Sequence, residues 1–176
     1  TGTEIINMPT QVAQGSLRAE IDGLTLQSTQ LVTNGDFDTA TTGWILSSIG
    51  TSTVTNGIVS FTATAQNGSI NQVLSVTVGS KYYYVARSKV TSSANQVFIG
   101  LSGAAKVYHS GGGSFELLSF IELMSGTPTR YDVMRDTRTS AWSEIQVDYA
   151  YAFNISTLQT NKQYSPLYAT TFDLMS

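Results

Sequence analysis

The chain contains no cysteine, which excludes disulfides, thiolate zinc sites and cysteine catalysis, and leaves its core to rest on packing alone. It has one histidine, His109, too few ligands for a histidine-rich catalytic metal centre. Charged residues make up 12% of the 176 residues, against about 25% in an average globular protein. Thr, Ser, Gly and Asn fill the deficit, the composition of a β-rich surface. The nine Lys and Arg are scattered from Arg18 to Lys162 and the net charge is −3, so no basic face that tracks phosphates is expected and no nucleic-acid partner with it. There is no run of 18 apolar residues, hence no expected membrane insertion. A signal-peptide pattern is also missing and the first residue is Thr, so the chain reads as processed or as an excerpt of a longer protein.

What is present points to one core domain of ordinary size with short extensions. From residue 43 to 155 apolar and polar residues alternate in short runs closed by Gly, Asn or Ser, the pattern of a β-sandwich or barrel. Ten runs read as strands, from WILSSI and TSTVT through KYYYVARSKV to SEIQVDYAYAFNIS. The expected fold is all-β, a two-sheet sandwich over 31–156, preceded by a connector over 1–30 and followed by a tail over 157–176. Asn56-Gly57 predicts a two-residue hairpin between Val54 and Ile58, and Asn67-Gly68 predicts another. In the last strand Ile145, Val147, Tyr149, Tyr151, Phe153 and Ile155 alternate with polar or small residues, placing them together on the core face. Trp44 and Phe61 complete the expected buried set. In the connector, Leu17, Ile21 and Leu24 stand at 4 and 3 spacing behind Ser16 as an N-cap, which gives either about two turns of helix or an extended linker. The tail carries Tyr164, Leu167, Tyr168, Phe172 and Leu174 with no strand to hold them.

The stretch LVTNGDFDTATTGW combines a turn at Asn34-Gly35 with Asp36 and Asp38 flanking Phe37. If extended, it points both carboxylates to one side, where they can share a hard cation. The spacing does not complete a calcium loop of the EF-hand kind. The alternative is an Asx turn leading into a strand, with Phe37 and Trp44 in the core.

Catalytic patterns are thin. Ser110 follows His109, and neighbouring strand residues point to opposite faces, so the two make a poor nucleophile and base. Glu116 and Glu122 share a strand phase, the obvious carboxylate pair for glycoside hydrolysis, but no cleft signature surrounds them. Sugar binding asks for a flat aromatic and a few polar groups. Trp142, in the polar segment before the last strand, is the candidate ring, with Asp136 and Arg138 nearby in sequence and Tyr108 and His109 from another turn. The same Trp reads equally as a side chain packed into the sandwich.

LVTNGDF followed by TTGW, NGIVSFTATAQNGSINQ, VGSKYYYVARSKVTSSANQV and VYHSGGGSFELLS together resemble carbohydrate-binding modules of the family 4, 9 and 22 type, from about Leu31 to Ile155. VYHSGGGSFELL with RDTRTSAWSEIQV, behind an LRAEIDGLT connector, is similar to the variant found in bacteriophage tail and fibre proteins. The resemblance implies a galactose-binding-like jelly roll and a structural calcium held by Asp36 or Asp38 together with Asp148, although the adjacent acidic pair common in the family's last strand is replaced here by Asp148-Tyr149. It implies a non-catalytic virion module, in a tail fibre, baseplate or receptor-binding protein, with host cell-surface polysaccharide and other virion proteins as partners. The alternatives are an architectural capsid or tail decoration and a module of a secreted polysaccharide-degrading enzyme. Virus fibres of this kind imply a homotrimer or other cyclic assembly, built through the unfinished termini.

Overall fold

The computed structural model describes residues 16–21, 24–91, 96–102, 104–126 and 129–156. The expected tail over 157–176 lies outside the described residues. Two strands precede the sandwich, β1 (Ser16–Ile21) and β2 (Leu24–Thr29), paired antiparallel from Ser16↔Thr29 to Ile21↔Leu24. The described part of the connector is therefore a pair of strands and not a helix, while residues 1–15 lie outside the described residues. Two residues, Asp22-Gly23, separate the paired Ile21 and Leu24, and Asp-Gly between alternating segments is a strong short-range hairpin signal.

Ten further strands follow: β3 (Ile45–Ser47), β4 (Thr53–Thr55), β5 (Ile58–Phe61), β6 (Gly68–Leu74), β7 (Lys81–Val90), β8 (Val97–Leu101), β9 (Lys106–Tyr108), β10 (Glu116–Leu123), β11 (Thr129–Asp136) and β12 (Ile145–Asn154). They form two five-stranded antiparallel sheets, a back sheet in the order β10-β7-β12-β5-β4 and a front sheet in the order β3-β6-β11-β8-β9. This is the two-sheet sandwich expected of the pattern, with the jelly-roll form that the resemblance implies. Asn56 and Gly57 both have positive φ and link Thr55 to Ile58 as a tight hairpin. Asn67 also takes positive φ, and Gly68 N–H donates to Ala65 O at 3.2 Å. That turn is no hairpin, however, because it carries the chain from β5 in one sheet to β6 in the other.

The core lies between the sheets. Tyr82, Tyr84, Val59, Phe61 and Ile145 meet Ile70, Leu74, Ile99, Leu101, Tyr131 and Val133, each large side chain contributing about 1.5–3 kcal/mol by leaving water. The alternation in β12 does not run straight through. Its register against β7 shifts between Val147 and Tyr149, so Asp148 is the extra residue of a bulge. Beyond it Ala150 pairs with Ala86 and Ala152 with Tyr84, and directly paired residues share a face. Ile145, Val147, Ala150 and Ala152 thus face the core, while Tyr149, Tyr151 and Phe153 stand on the outer face of the back sheet with Tyr83 and Val85. The reason is volume: Tyr84, with Tyr82 beside it, fills the interior here, and the residue opposite Tyr84 is the small Ala152. Trp44, Phe61, Val147, Tyr151 and Phe153 are buried as expected, and Tyr149 is half-buried.

The stretch that opens the domain is a run of turns, with positive φ at Asn34, Phe37, Ala40 and Gly43. Asn34 organises it: its Nδ2 donates to Ala40 O (2.9 Å) and Thr42 O (3.1 Å), its Oδ1 accepts from Thr39 N–H (3.1 Å), and its carbonyl accepts from Trp44 Nε1 (2.9 Å). Phe37 and Trp44 stack at 5.2 Å. The segment docks beside β12, where Leu31 N–H donates to Ala152 O, Ala150 N–H donates to Gly35 O at 2.7 Å, and Gln30 bridges Phe153. A Cβ on Gly35 would stand 2.3 Å from Ala150 O, so only glycine permits that approach.

Candidate glycan-binding face

The outer face of the front sheet is built in transverse rows. The central row is continuous across all five strands, Ile45↔Asn71↔Asp132↔Gly100↔Lys106. A bulge in β11, with register shifts on both sides and Met134 at φ 52°, decides the chemistry beside that row. In a regular strand residues three apart point to opposite faces. Here Val133 and Met134 both turn into the core, and Asp132 and Arg135 emerge on the same side.

Asp132 is 1% exposed and lies beneath two guanidinium groups. Its carboxylate accepts from Arg130 Nη2 at 3.1 Å, Arg135 Nη1 at 3.2 Å and Ser69 Oγ at 3.2 Å. Arg135 also donates from Nε to Asn67 Oδ1 at 3.2 Å. Asn71, buried below, donates to Ser47 Oγ at 3.0 Å. Charge-assisted bonds of this kind hold both guanidinium groups at the buried carboxylate, while the Arg130 and Arg135 side chains stay partly exposed. On the other side of Asp132, Gly100 offers no side chain, and a Cβ there would come 2.7 Å from Ala105 O. Past that gap stand Lys106, 5.0 Å above the Phe98 ring, and Tyr108, edge-on to Phe98 at 5.3 Å. Tyr108 is 40% exposed, the exposed aromatic ring among the described residues. Ile45 and Val73, both more than half exposed, give the opposite margin an apolar surface.

Of the expected sugar-contacting residues, Tyr108 is on this face. His109, Asp136 and Arg138 come to the same end of the sheet, around Val97, but inside it. His109 is fully buried; its Nδ1 accepts from Gly111 N–H at 2.9 Å, and its Nε2 lies 3.2 Å from Ser88 O, the geometry of an Nε2–H donor. Asp136 and Arg138 form a buried ion pair, with Nε at 2.8 and 2.9 Å from the two carboxylate oxygens. A side chain without solvent exposure does not touch a polymer, so these three are structural supports. Trp142 is half-buried with its Nε1 turned inward. Arg130, Asp132, Arg135 and Lys106 went unnoticed in the sequence, because only the bulge and the strand order bring them together.

The expected calcium ligands Asp36 and Asp38 do not take the extended arrangement that would point both to one side, because their segment is turned. Asp148 is ion-paired with Arg87, which also caps the Phe115 ring at 4.5 Å. Burial, and after it the nearby Asp36, Tyr149, Asp148 and Asp38, hold the Tyr151 phenol up; among the described residues no group of three His, Asp or Glu side chains is arranged to hold a metal. Glu116 and Glu122 lie six residues apart on β10, about 20 Å at strand rise, where glycoside hydrolysis needs about 5–9.5 Å. Ser110 directs its hydroxyl and N–H to Glu116 and not to His109. Burial raises the Glu116 pKa, but these bonds and His109 lower it further, leaving it below the usual range.

The architecture is that of known carbohydrate-binding modules. A structure reported under the words "CBM4 structure and function" superposes with a TM-score of 0.53 over 70% of this chain and 99% of its own, at 13% identity. The second N-terminal cellulose-binding domain of Cellulomonas fimi β-1,4-glucanase C superposes with a TM-score of 0.51 over 72% of this chain and 95% of its own, at 12% identity. At such identities the likeness is one of fold. No family model matches the sequence and no curated protein matches it.

Proposed function

We propose that the chain is a non-catalytic glycan-binding module that holds a polysaccharide across the outer face of the front sheet. One observation carries this reading: an exposed aromatic ring, Tyr108, backed edge-on by Phe98, in one transverse row with Arg135, which shares a buried carboxylate with Arg130. A ring of this kind stacks on the C–H face of a pyranose, and fixed polar groups beside it select orientation. The two superposed modules, which share the fold, support the reading. Glycan-array binding tests it. Tyr108→Ala is expected to abolish binding while leaving the unfolding midpoint nearly unchanged, and Trp142→Ala to lower the midpoint more than the affinity. Failure to bind any glycan would overturn the proposal.

The proposed setting is a bacteriophage particle, in a tail fibre, baseplate or receptor-binding protein that attaches to host surface polysaccharide. Its support is the wording of the sequence, VYHSGGGSFELL and RDTRTSAWSEIQV behind LRAEIDGLT. A glycosidase domain in the same open reading frame would overturn it. In that setting the module assembles as a homotrimer or other cyclic oligomer through its termini, a reading supported by the apolar outer face of the back sheet, where Leu117 and Leu123 are more than half exposed. Sedimentation of the whole chain as a monomer well above micromolar concentration would overturn that assembly, and a version lacking residues 1–30 identifies the connector's share.

A further inference from the structure

The exposed polar groups of the front face are nearly all donors. Arg130 and Arg135 carry only N–H groups and Lys106 only an ammonium, while the one carboxylate of the face, Asp132, is buried and already accepts from three partners. Asn71 and Ser69 are buried as well. A neutral sugar hydroxyl both donates and accepts, so a surface whose charged groups are donors, with acceptors limited to neutral groups such as the Tyr108 hydroxyl and Asn67 Oδ1, is better matched to an acceptor than to such a hydroxyl. A group with acceptors alone, such as a carboxylate or a phosphate, is well matched, and arginine's planar fork fits either one bidentately. Charge agrees: the three cations outnumber the single acid by two on a protein whose net charge is −3. Arg130 and Arg135 meet over Asp132, while Lys106 lies two strand positions from it through Gly100, about 10 Å away, so the positive charge falls at two separate places, as suits a polymer with charge on successive units.

Resting on the glycan-binding reading above, we infer that the ligand is an anionic glycan, a polysaccharide with a carboxylate or phosphate on successive units, whose charged groups engage Arg130, Arg135 and Lys106 while a ring stacks on Tyr108. The test measures binding of the whole chain to polygalacturonate, to a glycerol-phosphate glycan polymer, to neutral hydroxyethylcellulose and to polyglutamate, which has carboxylates without sugar rings. Tight binding to one of the two anionic glycans is expected, the preferred one naming the source of the charge. Affinity is expected to fall as ionic strength rises from 0.01 to 0.15 M and the screening length shrinks from about 30 to about 8 Å. Lys106→Glu, at an exposed position outside the Asp132 cluster, is expected to weaken binding about tenfold. Because loss of either arginine strands the buried Asp132, the second variant is Arg130→Gln combined with Asp132→Asn, also expected to bind weakly when folded. Salt-insensitive binding of hydroxyethylcellulose, unchanged by Lys106→Glu, overturns the anionic ligand but preserves a glycan-binding module. Equal binding of polyglutamate overturns the inference by removing the sugar from recognition, and no binding to any of the four polymers overturns both readings.

Discussion

Replacing Arg138 by Met keeps most of the side chain's length and removes its charge. Asp136 is then left fully buried, with the Arg138 backbone N–H, 3.0 Å from Oδ1, as the remaining member of a set that also includes guanidinium bonds of 2.5–2.9 Å. The loop ahead of β12 also loses the bonds from Nη1 to Ala141 O and Ser143 Oγ, at 3.2 and 3.1 Å. Removing one partner of a buried ion pair costs about 3–5 kcal/mol, since the other charge stays desolvated. With a urea dependence of about 2 kcal/mol per molar, the unfolding midpoint should fall by about 2 M, read from the fluorescence of Trp44 and Trp142. Asp136→Leu with Arg138→Met removes both charges and should recover most of the loss. Glycan affinity of the folded protein should not move in either variant. A loss below about 1 kcal/mol, the ordinary value of an exposed pair, would refute the buried-support role, as would loss of binding without loss of stability.

Gly35→Ala places a methyl against Ala150 O and the Tyr151 ring, and should cost about 1–3 kcal/mol by overpacking in the same urea titration. Glu116 has a folded pKa below its ordinary 4.5, so its contribution is complete above that value and is lost as pH falls through the folded pKa; Glu116→Gln should flatten the acid limb of the stability profile. The Tyr151 phenol is pushed up to about 12, first by burial and then by Asp36, Tyr149, Asp148 and Asp38. Its neutral form therefore stabilises the fold below about pH 10, and this is lost as pH rises toward 12. Tyr151→Phe should remove one late step from the tyrosinate absorbance titration.

The strands were legible because period-two alternation is a local property, and the Asn56-Gly57 hairpin because its turn chemistry is local too. The two bulges were not. In β12 the regular spacing of Tyr149, Tyr151 and Phe153 still reads as a single face, and the shift that moves them outward is set by the volume of Tyr82 and Tyr84 on the neighbouring strand. In β11 the bulge turns Asp132 and Arg135 to one side, so a charge cluster forms from residues that look scattered along the chain. The strands of the connector were hidden for a different reason: Leu17, Ile21 and Leu24 stand at a helical 4 and 3 spacing, and the Asp-Gly pair between Ile21 and Leu24 is the one local sign of a hairpin. The burial of Asp136, Arg138 and His109 was not legible either, because burial of a polar side chain depends on partners that no short segment shows.

The bridge between Gln30 and Phe153 also governs how the sandwich carries load. Because that pairing is antiparallel, the points where the chain enters and leaves the sandwich are neighbours, the arrangement that lets a domain be spliced into a surface loop of a host protein with little disturbance. Tension between those two points acts across the pair and not along it. The bonds from Leu31 to Ala152 and from Ala150 to Gly35 are then loaded one after another, like the teeth of a zip, so the opening segment is expected to peel from β12 before the opposite sheet is disturbed.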